Sequence, residues 1–282
     1  MADHEGFPPG VPCWIDVAPP DTDGATAFYG GLFGWEFENR MPADADARYM
    51  VARLDGLDVA AIGTPPDPAA PVAWATYIGV ASADESATAV RAAGGTVLTG
   101  PFDVMDAGRM AVCADPTGAA FNLWQPGRTR GAQVVNAPGS WNWSNLNTRD
   151  PHAAISFYDA VFGWLAAPVE FDDALMLQLP GYGDWLAERD PNLRERHAAL
   201  GVPAGFSDIV AWLQPMTSGS VPDDAPSHWD VTFAVDDPDA LAARVTDLGG
   251  SVVTEPLDVG PVRMAVVADP WGAAFTISHY AP

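Results

Sequence analysis

His228 and Asp230 stand two residues apart in the alternating run Ser227-His228-Trp229-Asp230-Val231-Thr232, so a strand through them turns both side chains to one face. An imidazole beside a carboxylate is the smallest apparatus for moving a proton. The carboxylate orients the ring, and half-apolar surroundings hold an Asp above its ordinary pKa. A polar pair at a strand entrance, with no chemistry, is the plainer reading of the same two residues. The other residues with chemical potential are aromatic: the chain has 11 Trp. On the inward phase of the strands described below fall Trp14 and Asp16, Asn122 and Trp124, Trp141, Trp143 and Asn145, Trp212 and Gln214, and Thr276. Any one Trp can be core packing. As a set, rings interleaved with Asn, Gln, Asp and His suit a flat, conjugated, oxygen-rich ligand, because rings stack while a few polar groups fix orientation.

Several chemistries are excluded or disfavoured. All 13 basic residues are Arg, so lysine Schiff-base catalysis has no nucleophile. A net charge of −24 argues against nucleic acid and anionic membranes, which demand a basic face. Cys13 and Cys113 form neither a disulfide framework nor a metal-ligand spacing, and read as free thiols. No apolar run reaches the ~20 residues of a membrane span, and Met1 to Gly10 lacks a leader pattern, so a cytoplasmic protein is expected. Arg109 and Arg263 follow matching loops, in Gly-Arg-Met-Ala and Val-Arg-Met-Ala; pairing with nearby carboxylates is the expected role of each.

The elements that must carry these residues come in two copies. Phe28-Tyr29-Gly30-Gly31-Leu32-Phe33-Gly34-Trp35 returns as Phe157-Tyr158-Asp159-Ala160-Val161-Phe162-Gly163-Trp164. Ala114-Asp115-Pro116-Thr117-Gly118-Ala119-Ala120-Phe121 returns as Ala268-Asp269-Pro270-Trp271-Gly272-Ala273-Ala274-Phe275. The spacing differs between the copies, so the second half holds an insertion, at 180–206, with a predicted helix over Asp190–Leu200, read equally as a lid or as a surface excursion. Each half reads as two βαβββ modules, at 11–63 and 73–125, then at 141–214 and 228–279. The predicted domains are 1–126 and 141–282, joined by a Pro/Gly-rich linker at 127–140. The class is α+β.

Paired βαβββ modules carrying FYxxxFGW after the first helix and DPxGxxF before the last strand resemble the glyoxalase / bleomycin resistance protein / extradiol dioxygenase (vicinal oxygen chelate) superfamily, and within it two-domain actinobacterial proteins. The resemblance implies two tandem domains whose sheets curl into half-barrels. It also implies, in the metalloenzymes, a His/Glu/Gln set on the inner face. Counting from the shared motifs puts those positions at Trp14, about Gly63, Ala75 and Asn122 in the first half, and at Trp143, Gln214, Asp230 and Thr276 in the second. Trp, Gly, Ala and Thr are not expected to chelate here, so neither half holds a full ligand set and no metal or other cofactor is expected. His4, His152, His197 and His279 offer no second His in phase with His228.

The expected function is therefore metal-independent binding of an aromatic, polyketide- or antibiotic-like molecule, for sequestration, carriage or service to a biosynthetic enzyme. Monomer and homodimer both remain open. The rival is a glyoxalase-like lyase, isomerase or hydroxylase-type enzyme using His228 and Asp230 or a reduced metal site. A stress or surface antigen with a vestigial cavity is a third reading.

Overall fold

In the computed structural model, residues 6–169, 173–199, 201–202, 205–216 and 225–280 are described. The first half runs β1 (Pro12–Val17), α1 (Thr22–Phe33), β2 (Glu36–Asn39), β3 (Tyr49–Leu54), β4 (Leu57–Gly63), β5 (Trp74–Gly79), α2 (Ala83–Ala92), β6 (Thr96–Val104), β7 (Gly108–Ala114) and β8 (Ala120–Pro126). The second runs β9 (Ser140–Thr148), α3 (Pro151–Phe162), β10 (Leu165–Pro168), β11 (Leu175–Gln178), α4 (Tyr182–Arg189), α5 (Leu193–Ala199), a 3-10 turn (Phe206–Asp208), β12 (Ile209–Pro215), β13 (His228–Ala234), α6 (Pro238–Asp247), β14 (Ser251–Val259), β15 (Val262–Ala268) and β16 (Ala274–Tyr280). Each half forms its own open, eight-stranded sheet: β2-β3-β4-β1-β5-β8-β7-β6 and β10-β11-β12-β9-β13-β16-β15-β14. Modules join within a half, through the antiparallel pairs β1–β5 and β9–β13.

Local chemistry sets the helix ends. The Asp21 and Asp150 carboxylates accept the free N–H groups of Gly24 and Ala153 at the starts of α1 and α3. Gly34 and Gly163 end those helices at φ 74° and 73°, the left-handed region that a side chain resists, which explains the Gly in both FGW copies. In the insertion, the predicted single helix is two: α4 ends at Arg189 and α5 begins at Leu193, because Asp190 precedes Pro191 and is held extended at φ −131°. Leu200, the last residue of that prediction, lies outside the described residues, as does His4.

The repeated motifs meet across the halves. The Tyr29 hydroxyl donates to Asp269 Oδ2 at 2.9 Å, and the Tyr158 hydroxyl to Asp115 Oδ2 at 3.2 Å. Each Asp uses its other oxygen to accept backbone N–H groups of its own DPxG turn, from Thr117 and Ala119 or from Trp271 and Ala273. Rings follow the same exchange: Phe33 packs 4.8 Å from Phe233, and Phe121 lies about 6 Å from Phe157, Tyr158 and Phe162. Gly95 permits this approach, since a Cβ there would sit 2.7 Å from the Phe157 ring. One face of each sheet is thus buried with the helices in a core shared by both halves. The opposite, inner face carries the candidate residues.

Candidate functional site

In the first half the inner face is closed by its own side chains. The Trp14 indole N–H donates to the Tyr49 hydroxyl at 2.8 Å, and the Tyr49 and Tyr77 hydroxyls donate to Asp16 Oδ2 at 3.0 and 2.7 Å. Trp124 stands edge-on to Tyr77 and donates its indole N–H to the Thr129 carbonyl in the linker. Trp14, Tyr77, Asn122 and Trp124 are each less than a tenth exposed. Burial pushes the Asp16 carboxyl up to about 6, against the two tyrosine hydroxyls that favour its charged form.

The matching face of the second half is more open. Successive inward positions of β9, Trp143, Asn145 and Asn147, are all half-buried. The Asn145 amide donates to Asp230 Oδ1 at 2.5 Å and to the Thr232 hydroxyl at 2.9 Å, and the Asn147 amide donates to Asp230 Oδ2 at 2.9 Å. Burial raises the Asp230 pKa; the amide N–H groups of Asn145 and Asn147 oppose the rise, followed by the charge of His228. Above this polar floor Trp143 meets Trp212 edge-on at 5.9 Å and Phe206 at 6.2 Å. Phe206 belongs to the insertion, and His197 of α5 packs on it at 5.4 Å while its Nδ1 pairs with the Ser207 hydroxyl. Gln214 on β12 pairs in register with Asn147, and Thr276 on β16 with Thr232.

One expected site residue lies elsewhere, and another stands at the rim, opposite Asn147 in register. Trp141 pairs with Phe233 rather than continuing the phase of Trp143, because a bulge inserts one extra residue in β9; it is 4% exposed, in the core. His228 is exposed at the edge of β13, and its ring nitrogen bonds the Pro226 carbonyl, whereas the oxygens of Asp230 are engaged by Asn145 and Asn147. Four residues of these faces escaped the sequence reading. Asn147 carried a signal, the i, i+2, i+4 continuation of Trp143 and Asn145. Tyr77 carried one too, two residues beyond Ala75 on the same strand; Tyr49 and Phe206 carried none, since their strand phase or loop position emerges only with the ladder.

Two family models cover most of the chain: the glyoxalase/bleomycin resistance protein/dioxygenase superfamily at residues 13–123 and a glyoxalase-like domain at residues 143–278. CFP32 of Mycobacterium tuberculosis, provisionally named a glyoxylase, is 36% identical over 286 residues, spanning 100% of this chain and 99% of that protein. The chain belongs to the glyoxalase/bleomycin resistance protein/dioxygenase superfamily. The anthracycline biosynthesis protein DnrV of Streptomyces peucetius is likewise 36% identical, over 96% of this chain and 94% of that one. Among solved structures, the Mn(II)-bound glyoxalase of Novosphingobium aromaticivorans superposes with a TM-score of 0.60 at 15% identity, covering 96% of this chain and 83% of that one. The 2,3-dioxygenase LapB of Pseudomonas sp. KL28 gives 0.59 at 13%, covering 97% and 94%. These two likenesses establish the fold.

Superfamily metalloenzymes hold a divalent ion on the inner face, and the residues present here do not fit one. The first half offers Trp14, Gly63, Ala75 and Asn122 at the corresponding positions, and Asn122 is 7% exposed in a packed wall. The second offers Trp143, Gln214, Asp230 and Thr276, of which Asp230 alone is anionic, with both oxygens already accepting amide N–H groups. Among the described residues no three His, Cys, Asp or Glu side chains are grouped as metal ligands. Arg109 pairs with Asp84 and Asp103, and Arg263 with Asp239 and Asp258, so both guanidinium groups serve the surface. Cys13 and Cys113 are free and buried.

Proposed function

We propose that the protein binds a flat, hydroxylated aromatic molecule of polyketide type on the inner face of its second half, without a metal, as a carrier, a sequestering protein or an accessory to a biosynthetic enzyme. One observation carries this reading: Trp143, Trp212 and Phe206 stay half-buried around an Asn145-Asp230-Asn147 array, while the equivalent face of the first half is closed on itself. The aromatic side chains supply stacking area, and the amide and carboxyl groups supply a fixed pattern of donors and acceptors for ring hydroxyl and carbonyl oxygens. The name of DnrV ties one full-length relative to anthracycline biosynthesis, and anthracyclines are fused-ring hydroxyquinones. The position of Phe206 supports the insertion as a partial cover. A cytoplasmic location accords with this role; among the described residues no helix is long and apolar enough to cross a membrane.

The enzymatic alternative needs His228 at the reacting atoms. Its ring instead lies exposed against Pro226, which favours binding over proton transfer. Titration of tryptophan fluorescence with a dihydroxyanthraquinone, with elemental analysis of the same sample, tests the proposal. Saturable quenching without stoichiometric metal is expected. Stoichiometric Zn, Ni, Fe or Mn, or turnover abolished by His228→Ala, would overturn it.

A further inference from the structure

Both inner faces carry a carboxylate among aromatic rings, and they satisfy it in different ways. In the first half Asp16 takes its donors from phenols: the Tyr77 and Tyr49 hydroxyls bond Oδ2 at 2.7 and 3.0 Å, with Trp14 bonded to one phenol and Trp124 edge-on to the other. In the second half the carboxylate has crossed to the neighbouring strand. Asn145 stands where Asp16 stands, and Asp230 where Ala75 stands, each pair facing across the corresponding antiparallel ladder. Trp143 keeps the place of Trp14, but Thr232 replaces Tyr77, and Ala174 falls at the register position of Tyr49. The tyrosines of the second half lie on α3 (Tyr158), on α4 (Tyr182) and at the end of β16 (Tyr280). The second face therefore keeps a carboxylate among tryptophans and has no phenol of its own.

Its hydrogen bonds define what it still offers. An ionised carboxylate only accepts, so the amide nitrogens of Asn145 and Asn147 face Asp230 and their carbonyl oxygens do not. Asn145 spends both N–H groups, on Asp230 and on Thr232, and Asn147 spends one on Asp230. Each Asp230 oxygen takes one amide N–H and keeps a lone pair, and the two amide carbonyl oxygens take no hydrogen bond from the described residues. The array is thus rich in acceptors and poor in donors, with the Gln214 amide on its flank, in register with Asn147. Asn145, Asn147 and Asp230 are half-buried, as are the rings of Trp143, Trp212 and Phe206, whereas Trp14 and Tyr77 of the first face are buried.

We propose that a free phenolic hydroxyl of the bound molecule donates to Asp230, as the Tyr77 hydroxyl donates to Asp16, and that Asp230 thereby selects hydroxylated rings over their O-alkylated forms. The inference rests on the aromatic-ligand reading of the second half and narrows it. The ligand presents a hydroxyl that is not already bonded to a carbonyl of its own. An ether oxygen in the same place would meet carboxylate and carbonyl lone pairs with no proton between them, and the acceptors it covers would lose water without a replacement. A reaction that supplies this ligand leaves a ring hydroxyl free, and O-alkylation takes the molecule out of the site.

The test is calorimetric titration of the full chain with 2,6-dihydroxyanthraquinone, whose hydroxyls are out of reach of its own carbonyls, and with its dimethyl ether, below the pKa of the hydroxyls. The dihydroxy compound should bind about tenfold tighter or more, the worth of one hydrogen bond to a charged group. Asp230→Asn should bring the ratio of the two affinities below about threefold, while Trp212→Ala should weaken both compounds and keep the ratio. Equal affinity of the parent chain for the two compounds, or an undiminished ratio in Asp230→Asn, would overturn selection by Asp230 and leave the aromatic-ligand reading standing. Binding of neither compound would overturn that reading and this inference with it.

Discussion

Removing the Tyr158 hydroxyl should destabilise the protein more than removing its counterpart on Tyr29, although the two occupy the same place in the repeat. The Tyr158 hydroxyl donates to Asp115 Oδ2 at 3.2 Å and accepts from the Trp229 indole N–H at 2.9 Å, with all three residues at most 4% exposed. Tyr158→Phe therefore orphans two buried groups, each costing about 1–3 kcal/mol, and we expect a loss of about 3 kcal/mol. The Tyr29 hydroxyl donates to Asp269 Oδ2 at 2.9 Å, while the Trp74 indole N–H beside it opposes the burial-driven rise of the Tyr29 pKa but stands outside hydrogen-bond geometry. Burial holds Asp269 above the ordinary carboxylate pKa, which eases protonation of an abandoned oxygen. Tyr29→Phe should thus cost about 1–2 kcal/mol. Urea unfolding followed by tryptophan fluorescence and far-ultraviolet circular dichroism measures both. Because each bond ties one half to the other, the two probes should also report one coincident transition in every variant. A smaller loss for Tyr158→Phe than for Tyr29→Phe, or separate transitions for the two halves, would refute the reasoning.

Asp16→Asn should stabilise the protein at pH 8 relative to pH 4 in the variant-minus-parent difference. A folded-state pKa raised from the ordinary 3.8 to about 6 gives stability that is present below 3.8 and lost as pH rises through 6, up to about 3 kcal/mol; a difference independent of pH contradicts it. His228→Ala should change affinity for a dihydroxyanthraquinone less than about twofold, since the exposed ring bonds only Pro226 among the described residues; calorimetry decides. Arg109→Ala and Arg263→Ala should each cost less than about 1 kcal/mol in urea midpoint measurements, because their carboxylate partners are largely exposed.

Much of the fold was legible because the motifs are chemical punctuation. Gly34 and Gly163 mark helix ends by backbone conformation, and Asp115 and Asp269 mark turns by capturing their own N–H groups. What those motifs touch was not legible: Tyr29 reaches Asp269 from 240 residues away, and nothing local distinguishes that partner from Asp115 in its own half. The site divided along the same line. Strand alternation put Trp143, Asn145, Trp212, Gln214 and Asp230 on one face, where the ladder has them, and failed at Trp141, where a bulge slips the phase by one residue. Alternation also could not tell an open wall from a closed one. Trp14 and Trp124 are inward, as their spacing implies, yet are buried by Tyr49, Tyr77 and the linker, which come from other strands and segments. His228 and Asp230 share a strand face, as their spacing implies, while the Asp230 oxygens accept from Asn145 and Asn147 and the His228 ring bonds the Pro226 carbonyl; Asn147 was one step further along the same strand as Asn145.

The two copies of one scaffold differ in how open their inner faces are, and the most direct measurement of that asymmetry is calorimetric titration of the full chain with a dihydroxyanthraquinone beside Trp212→Ala and Trp14→Ala variants. One molecule should bind per chain, with affinity reduced about tenfold or more in Trp212→Ala and little changed in Trp14→Ala. Two equivalent sites, or a larger loss from Trp14→Ala than from Trp212→Ala, would contradict the assignment of the ligand site to the second half.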